Sequence, residues 1–146
     1  MSFNVVISSS DKIAGSSVEN AEYFFDWNNF RDDNASYELS FVYCSEPETQ
    51  AINNKVLQIS LPDLPQLNFR TSAEIGANTT GIIGCVFPEV VNSKELYIAR
   101  NGDNPSVIVK SLPFNAKFKV DLISDVGSIN VPVSYKLILS FKKMGV

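Results

Sequence analysis

The sequence predicts an all-β protein, an antiparallel β-sandwich built from about eight short strands. Apolar and polar residues alternate over many short segments, which places successive side chains on opposite faces of a strand. Turn-forming residues separate these segments at short intervals. No window of about 11 or more residues keeps the apolar spacing of an amphipathic helix.

The segment from Glu22 to Glu46 is the most informative. Two alternating runs, 23–27 and 37–43, flank the polar break 28–34. The apolar side chains that share a face are Tyr23, Phe25 and Trp27 in the first run and Tyr37, Leu39, Phe41 and Tyr43 in the second. Because the apolar face of a sheet must be buried against another layer of structure, the segment predicts two facing sheets.

The other strands follow from the same alternation. The predicted strands are Phe3–Ser8, Glu22–Trp27, Ser36–Ser45, Lys55–Leu61, Leu67–Arg70, Gly81–Phe87, Glu95–Arg100, Ser106–Lys110, Lys117–Ser124 and Val133–Lys142. The predicted core is Tyr23, Phe25, Trp27, Leu39, Phe41, Phe118, Val120, Leu137, Leu139 and Phe141. Gly81–Phe87 is apolar on both faces, which is typical of either a central strand or a subunit contact.

Length and composition predict one domain, residues 1–146. The formal charge of −4 argues against direct nucleic-acid binding, which depends on clustered Lys and Arg. The N-terminus lacks signal-peptide features, and no apolar run approaches the ~20 residues of a membrane span. These features predict a cytosol-like compartment and no membrane insertion. Cys44 and Cys85 are then expected as reduced thiols, with a disulfide as the alternative.

The side chains available for catalysis predict that the chain is not an enzyme. It contains no histidine, which excludes Ser-His-Asp and Cys-His arrangements within one chain. The carboxylates Asp32, Asp33, Glu46 and Glu48 lie in turn-like contexts, where solvation or backbone capping is the usual role. The segment 101–105 is predicted as a turn rather than a calcium loop. No metal and no cofactor are expected, and Trp27 is expected in the core rather than in a sugar-stacking platform.

Several motifs resemble small proteins of large and mid-sized double-stranded DNA viruses that infect algae and other protists. The motifs are Phe25-Asp26-Trp27-Asn28-Asn29-Phe30, Tyr37-Glu38-Leu39-Ser40-Phe41 with Ser45-Glu46, Asn104–Val109, Phe118–Ile123 and Tyr135–Phe141. The resemblance is to minor capsid proteins and implies a single jelly roll. Asn28 stands where that family usually has Ser, and residues 47–80 carry little of the likeness.

Pattern and resemblance together predict a structural virion protein, a minor capsid or vertex (penton-like) component assembled in the host cytoplasm. Its expected partners are itself, as a cyclic trimer or pentamer, and other capsid proteins. The predicted contact residues are Ile82, Val86, Val90, Val91 and Ile138. The alternative is a carbohydrate-binding β-sandwich or a TNF/C1q-like trimeric binding protein, and a β-sandwich hydrolase is a third interpretation.

Overall fold

A computed structural model describes residues 1–46, 56–64, 69–70, 79–124 and 134–144. Its strands are β1 (Ser2–Ser8), β2 (Asn20–Phe24), β3 (Tyr37–Ser45), β4 (Leu57–Ser60), β5 (Phe69–Arg70), β6 (Thr79–Thr80), β7 (Ile82–Val91), β8 (Lys94–Ala99), β9 (Val107–Val109), β10 (Lys117–Ser124) and β11 (Tyr135–Lys143). A short 3-10 helix, Ser9–Asp11, follows β1. Every strand pairing in the described part is antiparallel, so the all-β antiparallel prediction is confirmed.

The main sheet has the strand order β1-β11-β3-β8-β7-β4-β10-β2, with β9 pairing beside β8 on β3 and β5 pairing with β6 separately. Strand β7 joins two halves of this sheet. Its first part pairs with β4, and its part from Phe87 to Val91 pairs with β8. We call β1-β11-β3-β8 the first half and β2-β10-β4-β7 the second half.

One hydrophobic core lies between the inner faces of the two halves. The Tyr23 and Tyr135 hydroxyl oxygens are 2.7 Å apart, which joins β2 to β11 by a hydrogen bond. Trp27 contacts Phe118 of the second half at 5.4 Å and Phe141 of the first half at 5.7 Å between ring centroids. Because these pairs connect strands far apart in the sheet order, the sheet curls into a half-barrel.

The core prediction is confirmed with one adjustment. Every predicted core residue is buried except Phe25, which is half-buried and packs edge-on against Trp27 at 4.7 Å. Burying such large aromatic side chains supplies much of the hydrophobic driving force for folding. The indole N–H of Trp27 has no hydrogen-bond partner among the described residues.

The predicted strand Glu22–Trp27 ends earlier than expected, at Phe24. The reason is local hydrogen bonding. The Asp26 side chain accepts a bond from the Asn28 N–H, and the Trp27 carbonyl accepts bonds from the N–H groups of Phe30 and Arg31. These bonds turn the chain while leaving Trp27 in the core, as an Asx-turn does.

For strand β7 the predicted segment is too short, because the strand continues past the predicted end at Phe87 to Val91. Near its start, Gly84 lets the strand approach its neighbours closely. An added Cβ there would lie 2.6 Å from the Phe41 ring and 2.7 Å from the Asn104 side chain. The Asn104 amide in turn donates to the Cys85 carbonyl and accepts from its N–H, each at 2.9 Å.

The remaining strand predictions match the structure to within one or two residues wherever they can be compared. Parts of three of them, Lys55, residues 67–68 and Val133, lie outside the described residues. The two-residue strand Thr79–Thr80 was not predicted.

Candidate association surface

The five predicted contact residues fall into three environments. Val90 and Val91 are exposed, at 63% and 43% of their surface. Ile82 and Ile138 are half-buried. Val86 is fully buried.

Val86 is therefore a correction to the predicted set. Its side chain belongs to the hydrophobic core and lies on the inner face of β7, opposite Leu57 of β4. Such a side chain has no surface to offer a second molecule. Strand β7 lies between β4 and β8, so of the two interpretations of Gly81–Phe87 the central strand is the better description.

Ile138 belongs to a larger feature that the sequence analysis did not identify. Antiparallel register places it between Val6 of β1 and Val42 of β3 on the outer face of the first half. Two residues further along β3, Cys44 lies opposite Ile98 of β8, which in turn lies opposite Phe87 of β7. We call these residues the outer apolar row: Val6, Val42, Ile98, Ile138 and Phe87.

The outer apolar row is accessible. Val6 is 65% exposed and Phe87 is 47% exposed, while the three residues between them are half-buried. A shallow depression of about 300 Å³ opens at the middle of the row, lined by Val42, Tyr43, Cys44, Ile98, Ala99, Arg100, Lys136 and Ile138. Contiguous exposed apolar surface of this kind marks interaction sites more often than scattered single residues do.

Two charged residues line the depression, and one of them, Lys136, lies opposite Cys44 in the same cross-strand line as Ile98 and Phe87. Lys136 is exposed on β11, and Arg100 follows the end of β8. Arg100 donates to both carboxylate oxygens of Glu89, at 2.9 and 3.1 Å. On the other side of the row, Asn4, Ser140 and Ser40 are aligned across three strands and carry no charge. An apolar centre with a polar margin is the usual anatomy of a protein–protein contact.

Val90 and Val91 lie in a second feature, the hairpin formed by the end of β7 and the start of β8. Asn92 and Ser93 join the strands with φ of 50° and 62°, a pair of positive φ values that suits a two-residue hairpin turn. Residues 90–94 are all exposed, so the tip of this hairpin projects from the sheet. We call residues 90–95 the hairpin arm.

Burial shapes the ionisation of the tyrosines beneath the first half. Burial raises the pKa of Tyr43, whose hydroxyl has no hydrogen-bond partner among the described residues. Burial, followed by the hydrogen bond to Tyr23, also raises the pKa of Tyr135. Both phenols therefore stay neutral over the physiological range and act as packing groups.

The carboxylates considered for catalysis occupy separate structural roles where they are described. Asp32 bonds Lys143 at 2.5 Å, and Asp33 lies 3.5 Å from Arg31. Glu46 is exposed, and Glu48 lies outside the described residues. Within the described ranges, no group of three or more Asp, Glu or Cys side chains is placed to hold a metal ion.

The segment 101–105 forms the predicted turn. The Asp103 carboxylate accepts a hydrogen bond from the Arg100 N–H at 2.7 Å, while Asn104 binds the backbone of Cys85. Cys44 and Cys85 are not joined by a disulfide in the structure. In the part of the chain that the structure describes, no helix has the length and apolar character of a membrane span.

No protein-family model matches this sequence, and a search of curated proteins finds no significant relative. The fold and the surface therefore carry the functional argument. They define an antiparallel all-β protein with an apolar row on one outer face and a projecting hairpin arm.

Proposed function

We propose that this chain is a single jelly roll, residues 1–146, that serves as a structural virion protein. The support for the fold is the strand order. Without the short strands β5, β6 and β9, the first half joins the first, eighth, third and sixth strands of the chain, and the second half joins the second, seventh, fourth and fifth. This is the connectivity of the two four-stranded sheets of a jelly roll, an eight-stranded fold common in viral capsids.

In this proposal the protein is a minor capsid or vertex component that forms a cyclic homo-oligomer and contacts other capsid proteins. The observation that carries the proposal is the outer apolar row, in which Val6 is 65% exposed and Phe87 is 47% exposed in the single chain. A contact that covers the row and its surroundings would bury on the order of 1,000 Å² or more in total, the scale of a specific interface. Assembly would take place in the host cytoplasm and end in the virion.

The carbohydrate-binding alternative has weaker support. Its candidate sugar-stacking residue, Trp27, is only 1% exposed and packs among core aromatic rings. A stacking platform needs an open ring face. The prediction that Trp27 is a core residue is thus confirmed, and the outer apolar row becomes the better guide to function.

The first test is the native mass. We expect light scattering coupled to gel filtration, at micromolar concentration, to show a species heavier than the 16.1 kDa chain. Ile138→Asp should shift that species toward the monomer, because a carboxylate buried in an apolar contact is strongly unfavourable. The matched control is Ile123→Asp, which makes the same substitution at a half-buried isoleucine of β10 on the outer face of the second half.

The second test concerns location. Quantitative mass spectrometry of particles purified from the source of this sequence should find the chain in stoichiometric amounts. A wild-type protein that stays monomeric at these concentrations would overturn the assembly proposal. Absence of the chain from purified particles would overturn the virion role, even if the protein oligomerises.

A further inference from the structure

The main sheet ends in β1 on one side and in β2 on the other, and the two edges differ. The edge of β2 is closed by the segment that precedes it. The Glu22 carbonyl accepts a hydrogen bond from the Ile13 N–H at 2.7 Å, and the Glu22 N–H donates to the Ser16 hydroxyl at 3.3 Å. The Asn20 N–H donates to the Ser17 hydroxyl, also at 3.3 Å. Covering an edge in this way prevents another strand from pairing with it.

The edge of β1 is open. The Lys143 N–H donates to the Met1 carbonyl at 2.9 Å, and the antiparallel register with β11 is regular along the whole of β1. Odd-numbered residues of β1 therefore direct their N–H and C=O groups to β11, whereas Ser2, Asn4 and Val6 direct theirs away from the sheet. These three residues are exposed, and none of the described residues bonds to their outward backbone groups.

The sequence of β1 does not protect this edge. Ser2–Ser8 contains no charged residue and no proline, and its pairing with β11 has no bulge. Natural proteins usually protect an exposed edge with one of these devices or with a cover. The seven residues of β1 thus present a row of alternating donors and acceptors, which an extended strand is suited to match.

We infer that β1 of one copy pairs edge to edge with β1 of a second copy, antiparallel and about a two-fold axis. This contact goes beyond the proposed function, because it extends the sheet in its own plane and does not cover the outer face. When the pairing is centred on Val5, Asn4 lies opposite Val6 of the other copy, and Ser2 lies opposite Ser8. Outward-directed backbone groups then meet each other along the full length of the strand.

Two observations favour a second copy over an unrelated peptide. Because β1 carries no charge, identical strands meet without like charges opposite each other. Edges that select a peptide also use pockets for its alternate side chains. The depression between β1 and β2, lined in part by Tyr23 and Phe118, has a volume of about 90 Å³, below the roughly 300–1,000 Å³ of ligand pockets. Such an edge suits a partner that is recognised through backbone symmetry.

Val6 adds an apolar contribution to the pairing. Its side chain is 65% exposed in the single chain and lies at the β1 end of the outer apolar row. In the pairing centred on Val5, the two copies of Val6 become diagonal neighbours on the outer face, within reach of each other. The outer apolar rows of the two chains then join across the axis, and their outer face remains free for the contact proposed above.

Asn4→Pro tests the backbone pairing. Because the Asn4 N–H points away from β11, proline removes a donor between the copies without breaking a bond to β11. It should raise the concentration at which half of the β1 edges are paired by about tenfold or more, measured by light scattering coupled to gel filtration. Asn4→Ala keeps the N–H, is the matched control and should keep the wild-type mass. An unchanged urea midpoint would show that the proline variant remains folded.

Hydrogen exchange of the wild-type amides, followed by NMR, tests the same contact without a substitution. The amides of Val5 and Ile7 are directed to β11 and should exchange slowly at every protein concentration. The amides of Asn4 and Val6 should exchange quickly in the dilute single chain and slowly in the assembled protein. Protection that alternates along β1 and depends on concentration is the signature of a strand added at this edge.

A mixture of two charge variants tests whether the partner is β1 itself. In the pairing centred on Val5, Asn4 and its copy are diagonal neighbours, so Asn4→Lys or Asn4→Asp alone brings like charges together. Each variant should raise the half-pairing concentration by about twofold or more. An equimolar mixture should recover the loss, because opposite charges then meet. A mixture that pairs no better than the separate variants would overturn β1 as its own partner.

The edge contact and the proposed face contact fail in different ways. Ile138→Asp should leave the β1-paired dimer, and adding Asn4→Pro to it should give single chains. If Asn4→Pro keeps the wild-type mass and the Asn4 and Val6 amides exchange quickly at every concentration, edge pairing is overturned and the face contact stands. A mass that Asn4→Pro lowers and Ile138→Asp leaves unchanged would overturn the face contact and support edge pairing. A monomeric wild-type protein would overturn both.

Discussion

Leu137 and Ile138 are neighbours in β11 and nearly identical in chemistry, yet the two faces of the strand give them different roles. Leu137 is fully buried in the core between the two halves. Ile138 lies on the outer face between Val6 and Val42 and remains partly accessible. Apolar residues on the inner face stabilise the fold of one chain, whereas those on the outer face can be covered fully only by another molecule.

The outer face of the second half provides the contrast. There the outward positions of β2 and β10 are mostly polar, and Glu22 and Lys117 form an ion pair at 2.7 Å. Lys119 is exposed beside them. A mostly charged face of this kind stays solvated in a single chain, so under the proposed assembly the outer face of the first half is the expected contact.

The largest expected effect is the loss of stability when a side chain on the inner face is truncated. Phe141→Ala should lower the free energy of unfolding by about 3–5 kcal/mol, because the ring is fully buried against Trp27 and Phe3 and its loss leaves a cavity. Urea denaturation measures this loss. Ser140→Ala, one residue away on the outer face, is the control and should stay within about 0.5 kcal/mol. A loss below about 1 kcal/mol for Phe141→Ala would contradict the core assignment.

A smaller loss of stability is expected for substitutions near the start of β7, the strand that joins the two halves. Gly84→Ala should cost about 1–3 kcal/mol, because its Cβ would press on the Phe41 ring and the Asn104 amide. Asn104→Ala should cost about 1–2 kcal/mol through its two lost bonds to Cys85. The double variant should cost less than the sum, since it removes one of the two clashing groups. Strict additivity would mean that Asn104 does not crowd Gly84.

Substitutions on the outer face of the first half should change the stability of the monomer only weakly. Ile138→Ala is expected to change the free energy of unfolding of the monomer by less than about 1 kcal/mol, because the side chain is only half-buried. Leu137→Ala, its neighbour, should cost about 2–5 kcal/mol. Measuring both below the concentration of assembly separates folding from association. Equal losses for the two variants would erase the distinction between the faces.

Much of the fold could be predicted because strand alternation is a local signal. The run 37–43 alternates over its whole length, and the structure buries Tyr37, Leu39, Phe41 and Tyr43 together as predicted. The end of β7 could not be predicted in the same way. A Ser at positive φ, as at Ser93, is uncommon, so the tight turn has no strong sequence signature.

The outer apolar row could not be predicted because it depends on strand register. In the sequence, Val6, Val42 and Ile98 are single apolar residues on separate strands, and single exposed residues are ordinary. Only the pairing of β11 with both β1 and β3 aligns Val6 and Val42 with Ile138. The available signal was two or three consecutive apolar residues in strands that otherwise alternate, as in Val5-Val6-Ile7.

The smallest expected effect on stability comes from an ion pair at the end of β11. There Lys143 occupies the next inward-facing position after Phe141. Lys143 bonds Asp32, and this bond, followed by the Asn34 N–H, lowers the pKa of Asp32. A carboxyl with a lowered pKa in the folded state stabilises the protein above its unfolded pKa, near 3.9. That contribution disappears as the pH falls through the folded pKa.

At alkaline pH the stabilising contribution of Lys143 changes with pH in the opposite direction. The same hydrogen bond raises the pKa of Lys143, so its contribution is complete below the unfolded pKa, near 10.4, and is lost as the pH rises through the folded pKa. Asp32→Asn should therefore lower Tm slightly near neutral pH, with a difference from wild type that shrinks below about pH 4.

Thermal melts of both proteins across this range measure the difference, and high salt should reduce it because the pair is partly exposed. Glu46→Gln removes one negative charge from an exposed carboxylate and is the control. A Tm difference that stays constant from about pH 2 to about pH 7 would mean that the substitution acts through packing, not through the ion pair that ends the inner face of β11.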